Sequence, residues 1–154
     1  MKKQPYVAEP EIPSCIHGEQ AILGSILLDN ALIEQCADLE PDDFFLDSHK
    51  RIFLRIKELR TEGKAADIVT LSDRLQTSKE AQEVGGVAYV ADLTTGLPYH
   101  LAIRDYVGIV KEKSNLRKVA TLSEEAREKA LDGREKAINI GRDLYRSLEK
   151  LFKR

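Results

Sequence analysis

The stretch that decides the fold is residues 116–152, LRKVATLSEEAREKALDGREKAINIGRDLYRSLEKLF. On each side of Asp132-Gly133, small and apolar residues recur in alternating steps of three and four, as in the seam of a coiled coil. These residues are Leu116, Val119, Ser123, Ala126 and Ala130 before the turn, and Ala137, Gly141, Leu144, Leu148 and Leu151 after it. Since glycine favours the turn that ends a helix, the pattern predicts two antiparallel helical arms joined at Gly133.

A second apolar ridge runs along the return arm, where Ile138, Tyr145 and Phe152 recur every seven residues. These side chains have no partner inside a two-helix hairpin, and an exposed apolar ridge of this length is typical of an interface. We therefore predict self-association of the chain through one set of apolar residues. That set is Ile138, Leu144, Tyr145, Leu148 and Phe152.

The sequence before the hairpin shows shorter helical patterns. Apolar residues share one helix face at residues 22–27 and again at 52–59. Thr70 and Asp73 have the spacing of a capping box, which predicts a helix starting at Thr70 with Val69, Leu71 and Leu75 buried. No segment alternates apolar and polar residues as a half-buried strand would.

The predicted architecture is therefore all-α, a small helical globule followed by an antiparallel helical hairpin. We place the globule at residues 15–98 and the hairpin, as a dimerisation arm, at residues 99–154. Residues 1–14 contain three of the five prolines and are predicted to be a flexible N-terminal tail.

The charge is divided unevenly along the chain. The formal net charge is −2, but residues 1–100 carry 10 Lys+Arg against 17 Asp+Glu, and residues 101–154 carry 14 against 9. The overall balance excludes a uniformly basic nucleic-acid binder. In the hairpin, basic residues alternate with glutamates, which is typical of a solvated helix face, so direct DNA binding is kept only as an alternative.

The residue patterns of catalytic and metal sites are missing from the sequence. The one Gly-Lys pair, Gly63-Lys64, has Glu58 where a P-loop needs its first glycine and Ala65 where it needs Ser or Thr. The three histidines and two cysteines have no metal-ligand spacing. We therefore predict no catalytic, cofactor or metal residues in this chain.

Two further patterns bear on chemistry and compartment. Asp42-Asp43 follows a proline and is interpreted as a solvated turn rather than a catalytic pair. Two unpaired cysteines, no signal peptide and no membrane-spanning run favour the cytoplasm.

A series of short motifs resembles the N-terminal domain of DnaB-type replicative DNA helicases. It opens with Glu19-Gln20-Ala21-Ile22-Leu23-Gly24 and continues through Leu27-Leu28-Asp29-Asn30 and Asp43-Phe44-Phe45. Later members of the series are His49, Asp67-Ile68-Val69-Thr70-Leu71, Val84-Gly85-Gly86, Tyr89, Pro98 and Ile103-Arg104-Asp105-Tyr106. The order and spacing of the motifs over residues 13–118 carry the resemblance.

The resemblance implies an assembly and docking function. In that family the domain forms a collar in which hairpins pair between subunits, and dimers assemble into a hexamer as a trimer of dimers. The collar docks the C-terminal domain of primase and, in some lineages, a helicase loader. ATP, Mg and most DNA contacts belong to a RecA-like C-terminal motor domain, which we expect to lie outside this chain.

The resemblance also assigns roles to individual residues. Gly24, His49, Asp67, Gly85 and Gly86 match framework positions, with the two later glycines serving backbone geometry and Asp67 a helix start. Tyr89, Ala120 and Ala126 match positions where the collar meets primase. The alternative is a free-standing adaptor of phage or plasmid type that binds a helicase without helicase activity.

Overall fold

A computed structural model describes residues 11–97 and 102–153, in which all regular secondary structure is helical and no strand is present. In chain order the six α-helices are α1 (Ile16–Leu28), α2 (Asp47–Thr61), α3 (Ile68–Thr77), α4 (Gly86–Asp92), α5 (Ile103–Asp132) and α6 (Ala137–Phe152). Two 3₁₀ helices, Asn30–Cys36 and Pro41–Asp43, connect α1 to α2. The all-α prediction is confirmed for this part of the chain.

The core of the globule is built around α1, which is buried on nearly all sides. Residues from Ala21 to Leu27 are all buried, because α2, α5 and the first 3₁₀ helix pack against α1. A helix in this position needs apolar residues around most of its circumference, as the run AILGSIL provides. The other buried apolar side chains include Phe44, Ile52, Phe53, Ile56, Leu59, Leu71, Leu75 and Val90.

The first turns of α5 belong to this core. Ile103, Val107, Val110 and Ser114 are buried, the three apolar ones in the same cluster as α1 and α2. Helix α5 is therefore shared by the globule and the hairpin, without a break between them. The predicted boundary between residues 98 and 99 lies outside the described residues, as does most of the predicted tail.

The hairpin forms around Gly133, which ends α5 in the left-handed conformation with φ +71°. The return helix begins at Ala137 rather than directly after the turn. The predicted pairing of the arms is wrong in detail. The gap between the arms is lined by Leu122 and Ala126 of α5 and by Ile140 and Leu144 of α6.

Half of the predicted seam residues face solvent instead of the opposite arm. Ser123, Ala130, Ala137 and Gly141 are exposed, and Leu116 keeps 43% of its surface exposed. Ile140, which the heptad pattern missed, is the one buried residue of α6. The steps of three and four correctly located the helices, but α5 carries two apolar faces and the spacing does not say which one meets α6.

Helix α3 begins one turn earlier than its sequence pattern predicted. The Asp67 carboxylate accepts the N–H groups of Val69 and Thr70, each at 2.9 Å, and Thr70 Oγ1 accepts the Asp67 N–H at 2.9 Å. Thr70 is thus the third residue of the capping box and not its first. Val69, which was predicted to be buried, is 76% exposed.

This arrangement gives a direct test of the two possible caps. Replacing Asp67 with alanine should lower the free energy of unfolding by about 1 kcal/mol, because two backbone N–H groups lose their acceptor. Asp73→Ala is the matched control and should change it by less than about 0.5 kcal/mol, since Asp73 is an exposed mid-helix residue. Urea denaturation followed by circular dichroism measures both losses. A larger loss for Asp73→Ala than for Asp67→Ala would instead support the predicted helix start at Thr70.

Candidate functional site

The outer face of α6 carries the most exposed apolar ridge of the hairpin. Ile138, Tyr145 and Phe152 are 65%, 66% and 59% exposed. Of the other predicted self-association residues, Leu144 and Leu148 are half-buried, and Leu144 lines the gap towards α5. The predicted set therefore divides into three outward side chains and two half-buried ones, of which Leu144 lies between the arms.

Helix α5 has an outward apolar stripe of its own. Ile109, Leu116 and Leu131 are exposed large side chains, and Val119 is half-buried. At 3.6 residues per turn Leu116 and Val119 lie on nearly the opposite side of α5 from the residues that pack into the globule, whereas Ile109 borders the globule. The stripe and the α6 ridge leave the hairpin with an apolar outer surface.

The three predicted docking residues do not form one cluster. Tyr89 is a half-buried residue of α4 and lines a cleft of about 430 Å³ together with Tyr106 and Ile109 at the start of α5. Ala120 is exposed and Ala126 half-buried, about 16 and 25 Å further along α5 than Ile109 at 1.5 Å per residue. Any partner that touches all three would have to follow α5 for several turns.

A buried polar chain lies behind Tyr89. His49 is fully buried in α2, with Nδ1 2.6 Å from Glu19 Oε2 and Nε2 2.6 Å from the Tyr89 hydroxyl. Glu19, itself 1% exposed, also accepts the N–H of Phe45 at 2.5 Å. Both ring nitrogens of His49 are thereby partnered within the protein, and α1, α2 and α4 are joined through one imidazole.

A second buried carboxylate, Asp43, fastens α5 to the globule. It accepts hydrogen bonds from Lys111 Nζ at 2.6 Å, Lys118 Nζ at 2.6 Å, Ser114 Oγ at 2.7 Å and the Glu40 N–H at 2.9 Å. Burial alone would raise the pKa of the Asp43 carboxyl. These four donors outweigh the burial and hold its pKa well below its usual range.

The interpretation of Asp42-Asp43 as a solvated turn is therefore wrong for one of the two residues. Asp42 is exposed, whereas Asp43 is fully buried and ion-paired. A signal for this was present in the sequence, because Lys111, Ser114 and Lys118 share one face of α5 at spacings of three and four. Since Lys111 and Lys118 neutralise Asp43, fewer free cations remain on the hairpin for nucleic acid.

Two of the predicted framework glycines, Gly24 and Gly85, lie where an added side chain would crowd a neighbouring residue. A Cβ built on Gly24 would lie 1.8 Å from the carbonyl oxygen of Leu93, so that α1 and the end of α4 meet only because residue 24 has no side chain. Gly85, at φ +91°, precedes α4, and a Cβ there would lie 3.0 Å from the Cβ of Tyr89. Gly86 also adopts a left-handed conformation, at φ +76°.

Within residues 11–97 and 102–153, no three His, Cys, Asp or Glu side chains are grouped as a metal site would require. None of the helices there is both long enough and apolar enough to cross a bilayer. Burial raises the pKa of the Cys36 thiol to about 11, which keeps it protonated and unreactive at neutral pH.

Comparison with known proteins gives one consistent family. The family profile described as "DnaB-like helicase N terminal domain" matches residues 11–112. The chain is 35% identical over 108 residues to the replicative DNA helicase DnaB of Geobacillus stearothermophilus, which covers 70% of this chain and 24% of that protein. It is 33% identical over 127 residues to DnaB of Buchnera aphidicola, which covers 82% of this chain and 27% of that protein.

Solved structures agree on the fold. The crystal structure of the N-terminal domain of DnaB helicase from Mycobacterium tuberculosis superimposes with a TM-score of 0.84 at 24% identity, over 91% of this chain and 99% of that one. A DnaB-like replicative helicase studied with its interactions with primase gives a TM-score of 0.76 at 24% identity, over 88% of this chain and 31% of that one.

The all-helical globule with its hairpin arm and the sequence match define a helicase N-terminal domain. The chain belongs to the DnaB-like helicase N-terminal domain family. It spans about a quarter of the length of the curated relatives it matches.

Proposed function

We propose that this chain is an assembly and partner-docking domain of a replicative DNA helicase, which self-associates through its hairpin and docks primase during DNA replication. The observation that carries the proposal is the exposed apolar ridge of Ile138, Tyr145 and Phe152 on α6. Three large side chains in a row, each more than half exposed, make an unfavourable surface for an isolated domain and a favourable one for an interface.

The shape of the hairpin supports self-association in particular. The α6 ridge faces away from α5, because Ile140 and Leu144, which line the gap between the arms, lie on the other side of that helix. Small residues near the tip, Ala130, Ala137 and Gly141, are exposed and would allow close approach of a second hairpin. A patch that pairs with its own copy gives a closed two-fold dimer, and dimers of this kind can go on to a hexamer.

Primase is the partner we propose for docking, through its C-terminal domain. Support comes from the similar structure studied with primase and from the position of Tyr89, half-buried beside an open cleft. Ala120 and Ala126 are the accompanying docking candidates on α5, and a helicase loader is a further candidate partner.

The remaining parts of the function belong to the longer protein. We assign ATP, Mg and the main DNA contacts to a motor domain of the kind found in whole DnaB helicases, and no cofactor to the residues of this chain. DNA replication in bacteria takes place in the cytoplasm, which is the compartment this function implies.

Self-association is tested by introducing a negative charge into the apolar ridge of α6. Tyr145→Glu should weaken dimer formation at least about 30-fold, because a carboxylate replaces an aromatic anchor at the centre of an apolar patch. Sedimentation equilibrium at micromolar concentrations measures the dissociation constant.

Arg146→Glu is the control, since it places a glutamate at the neighbouring exposed position of α6, off the ridge, and changes the net charge by two units where Tyr145→Glu changes it by one. Circular dichroism establishes that both variants are folded. A wild-type chain that is monomeric at high micromolar concentration, or a Tyr145→Glu chain that dimerises like the wild type, would refute the proposed assembly function.

A further inference from the structure

The Tyr89 hydroxyl points inward, where a half-exposed tyrosine would more commonly turn its hydroxyl to water. It lies 2.6 Å from Nε2 of the fully buried His49 and 3.4 Å from the side-chain amide of Gln20. The aromatic ring and the imidazole are nearly parallel, with an interplanar angle of 13° and centroids 6.0 Å apart. One hydrogen bond between the ring tips therefore fixes the direction of the whole tyrosine side chain.

The other side of the imidazole is equally constrained. Glu19 Oε2 lies 2.6 Å from His49 Nδ1, and a carboxylate can only accept, so Nδ1 carries the proton. In the neutral ring Nε2 is then an acceptor, and the Tyr89 hydroxyl donates to it. Because Glu19 also accepts the Phe45 N–H, the carboxylate is itself fixed in place by the segment before α2.

The absence of a side chain at residue 85 leaves room for the base of the tyrosine. Gly85 lies one turn before Tyr89, and a Cβ at residue 85 would come within 3.0 Å of the Tyr89 Cβ and 3.3 Å of Cγ. The tyrosine side chain therefore occupies this space while the hydrogen bond at its tip fixes its direction.

We infer that Glu19 and His49 are positioning residues for Tyr89, which hold its hydroxyl inside the globule so that the partner meets an already ordered aromatic ring. This inference rests on the proposed docking function of the α4 surface. An ordered anchor costs less side-chain entropy on binding than a mobile one, and this preorganisation corresponds to about a 3- to 10-fold gain in affinity.

Two substitutions at residue 49 separate the two hydrogen bonds of the imidazole. The side-chain amide of asparagine reaches the position of Nδ1, so His49→Asn keeps a donor for Glu19 and removes the acceptor for Tyr89. The longer glutamine reaches the position of Nε2, so His49→Gln retains a partner for the hydroxyl. Tyr89→Phe removes the hydroxyl and keeps the ring.

The first measurement uses the free protein. In the wild type, NMR should show a Tyr89 hydroxyl proton protected from exchange and the nitrogen shifts of a His49 ring protonated at Nδ1 only. In His49→Asn the hydroxyl proton should exchange freely and the Tyr89 ring should flip rapidly, while His49→Gln should restore the protection. A Tyr89 ring and hydroxyl that are unchanged in folded His49→Asn would overturn the inference without any binding experiment.

The second measurement is the affinity for the C-terminal domain of a primase from the same organism, by isothermal titration calorimetry. Tyr89→Phe and His49→Asn should each bind about 3- to 10-fold more weakly, and the double variant should be no weaker than either single variant. His49→Gln should recover most of the loss. Tyr89→Ala, which removes the ring, should weaken binding more than either.

The remaining outcomes distinguish this inference from the proposed function. Additive losses in the double variant, or a loss in Tyr89→Phe without one in His49→Asn, would show that the partner contacts the hydroxyl directly and would overturn the inference alone. A wild-type chain that does not bind primase, or a Tyr89→Ala chain that binds normally, would overturn the docking function and the inference with it.

Discussion

Gly24→Ala should lower the free energy of unfolding by about 3 kcal/mol or more, at the upper end of what overpacking a core costs. The added methyl group would lie 1.8 Å from the Leu93 carbonyl oxygen and 2.7 Å from its carbon. Both are backbone atoms, which cannot turn aside as the end of a flexible side chain would. To admit the methyl group, α1 and the end of α4 would have to separate, and the buried contacts around them would loosen.

The control for this substitution is another helical glycine with open surroundings. Gly108 lies in α5, and a Cβ there would meet nothing within 4 Å. Gly108→Ala should therefore stabilise the protein, by up to about 1 kcal/mol, because alanine is the better helix former. Urea denaturation followed by far-UV circular dichroism compares the two, and equal midpoints would contradict the close approach at Gly24.

The second large effect is expected at the carboxylate that fastens α5. Asp43→Asn should lower the free energy of unfolding by about 3 kcal/mol at pH 7, because the charge that pairs with Lys111 and Lys118 disappears from a fully buried site. This loss of stability is at the low end of the range for a broken buried ion pair. Both lysine side chains are more than one-third exposed, so their ammonium groups can be hydrated when the carboxylate is gone. Asp42→Asn, one residue earlier and exposed, should change stability by less than about 0.5 kcal/mol.

The pH dependence of stability tests the same prediction in a second way. The pKa of Asp43 is lowered in the folded protein, so its contribution is complete above the unfolded pKa of about 4 and is lost as the pH falls towards the folded value. The stability difference between wild type and Asp43→Asn should therefore shrink progressively below about pH 4. A difference that stays constant through this range would exclude the carboxylate charge as its cause.

Much of the architecture could be predicted because it depends on local patterns. The spacing of Ile22, Leu23, Ile26 and Leu27 predicted the central helix, and Gly133 correctly marked the turn of the hairpin. The face of α5 that meets α6 was not predictable in this way. Leu116 and Leu122 are equally apolar and lie on the same helix, and only the docking of α5 on the globule decides which one turns towards α6.

The polar interior was harder to predict from the sequence than the apolar core. Glu19 is 1% exposed and Asp43 is fully buried, although carboxylates usually lie on the surface. Their burial depends on donors that arrive from distant parts of the chain, namely His49 for Glu19 and two turns of α5, from Lys111 to Lys118, for Asp43. Hydrophobic periodicity contains no information about such long-range pairs.

The unbroken length of α5 has a mechanical consequence. Its 30 residues form a rod about 45 Å long, which is fastened to the globule as far as Lys118 and extends beyond it to the tip at Asp132. The part beyond Lys118 is about 21 Å long, so a tilt of about 5° displaces the tip by about 2 Å. A small rearrangement around Asp43 would therefore be amplified along the hairpin towards its tip.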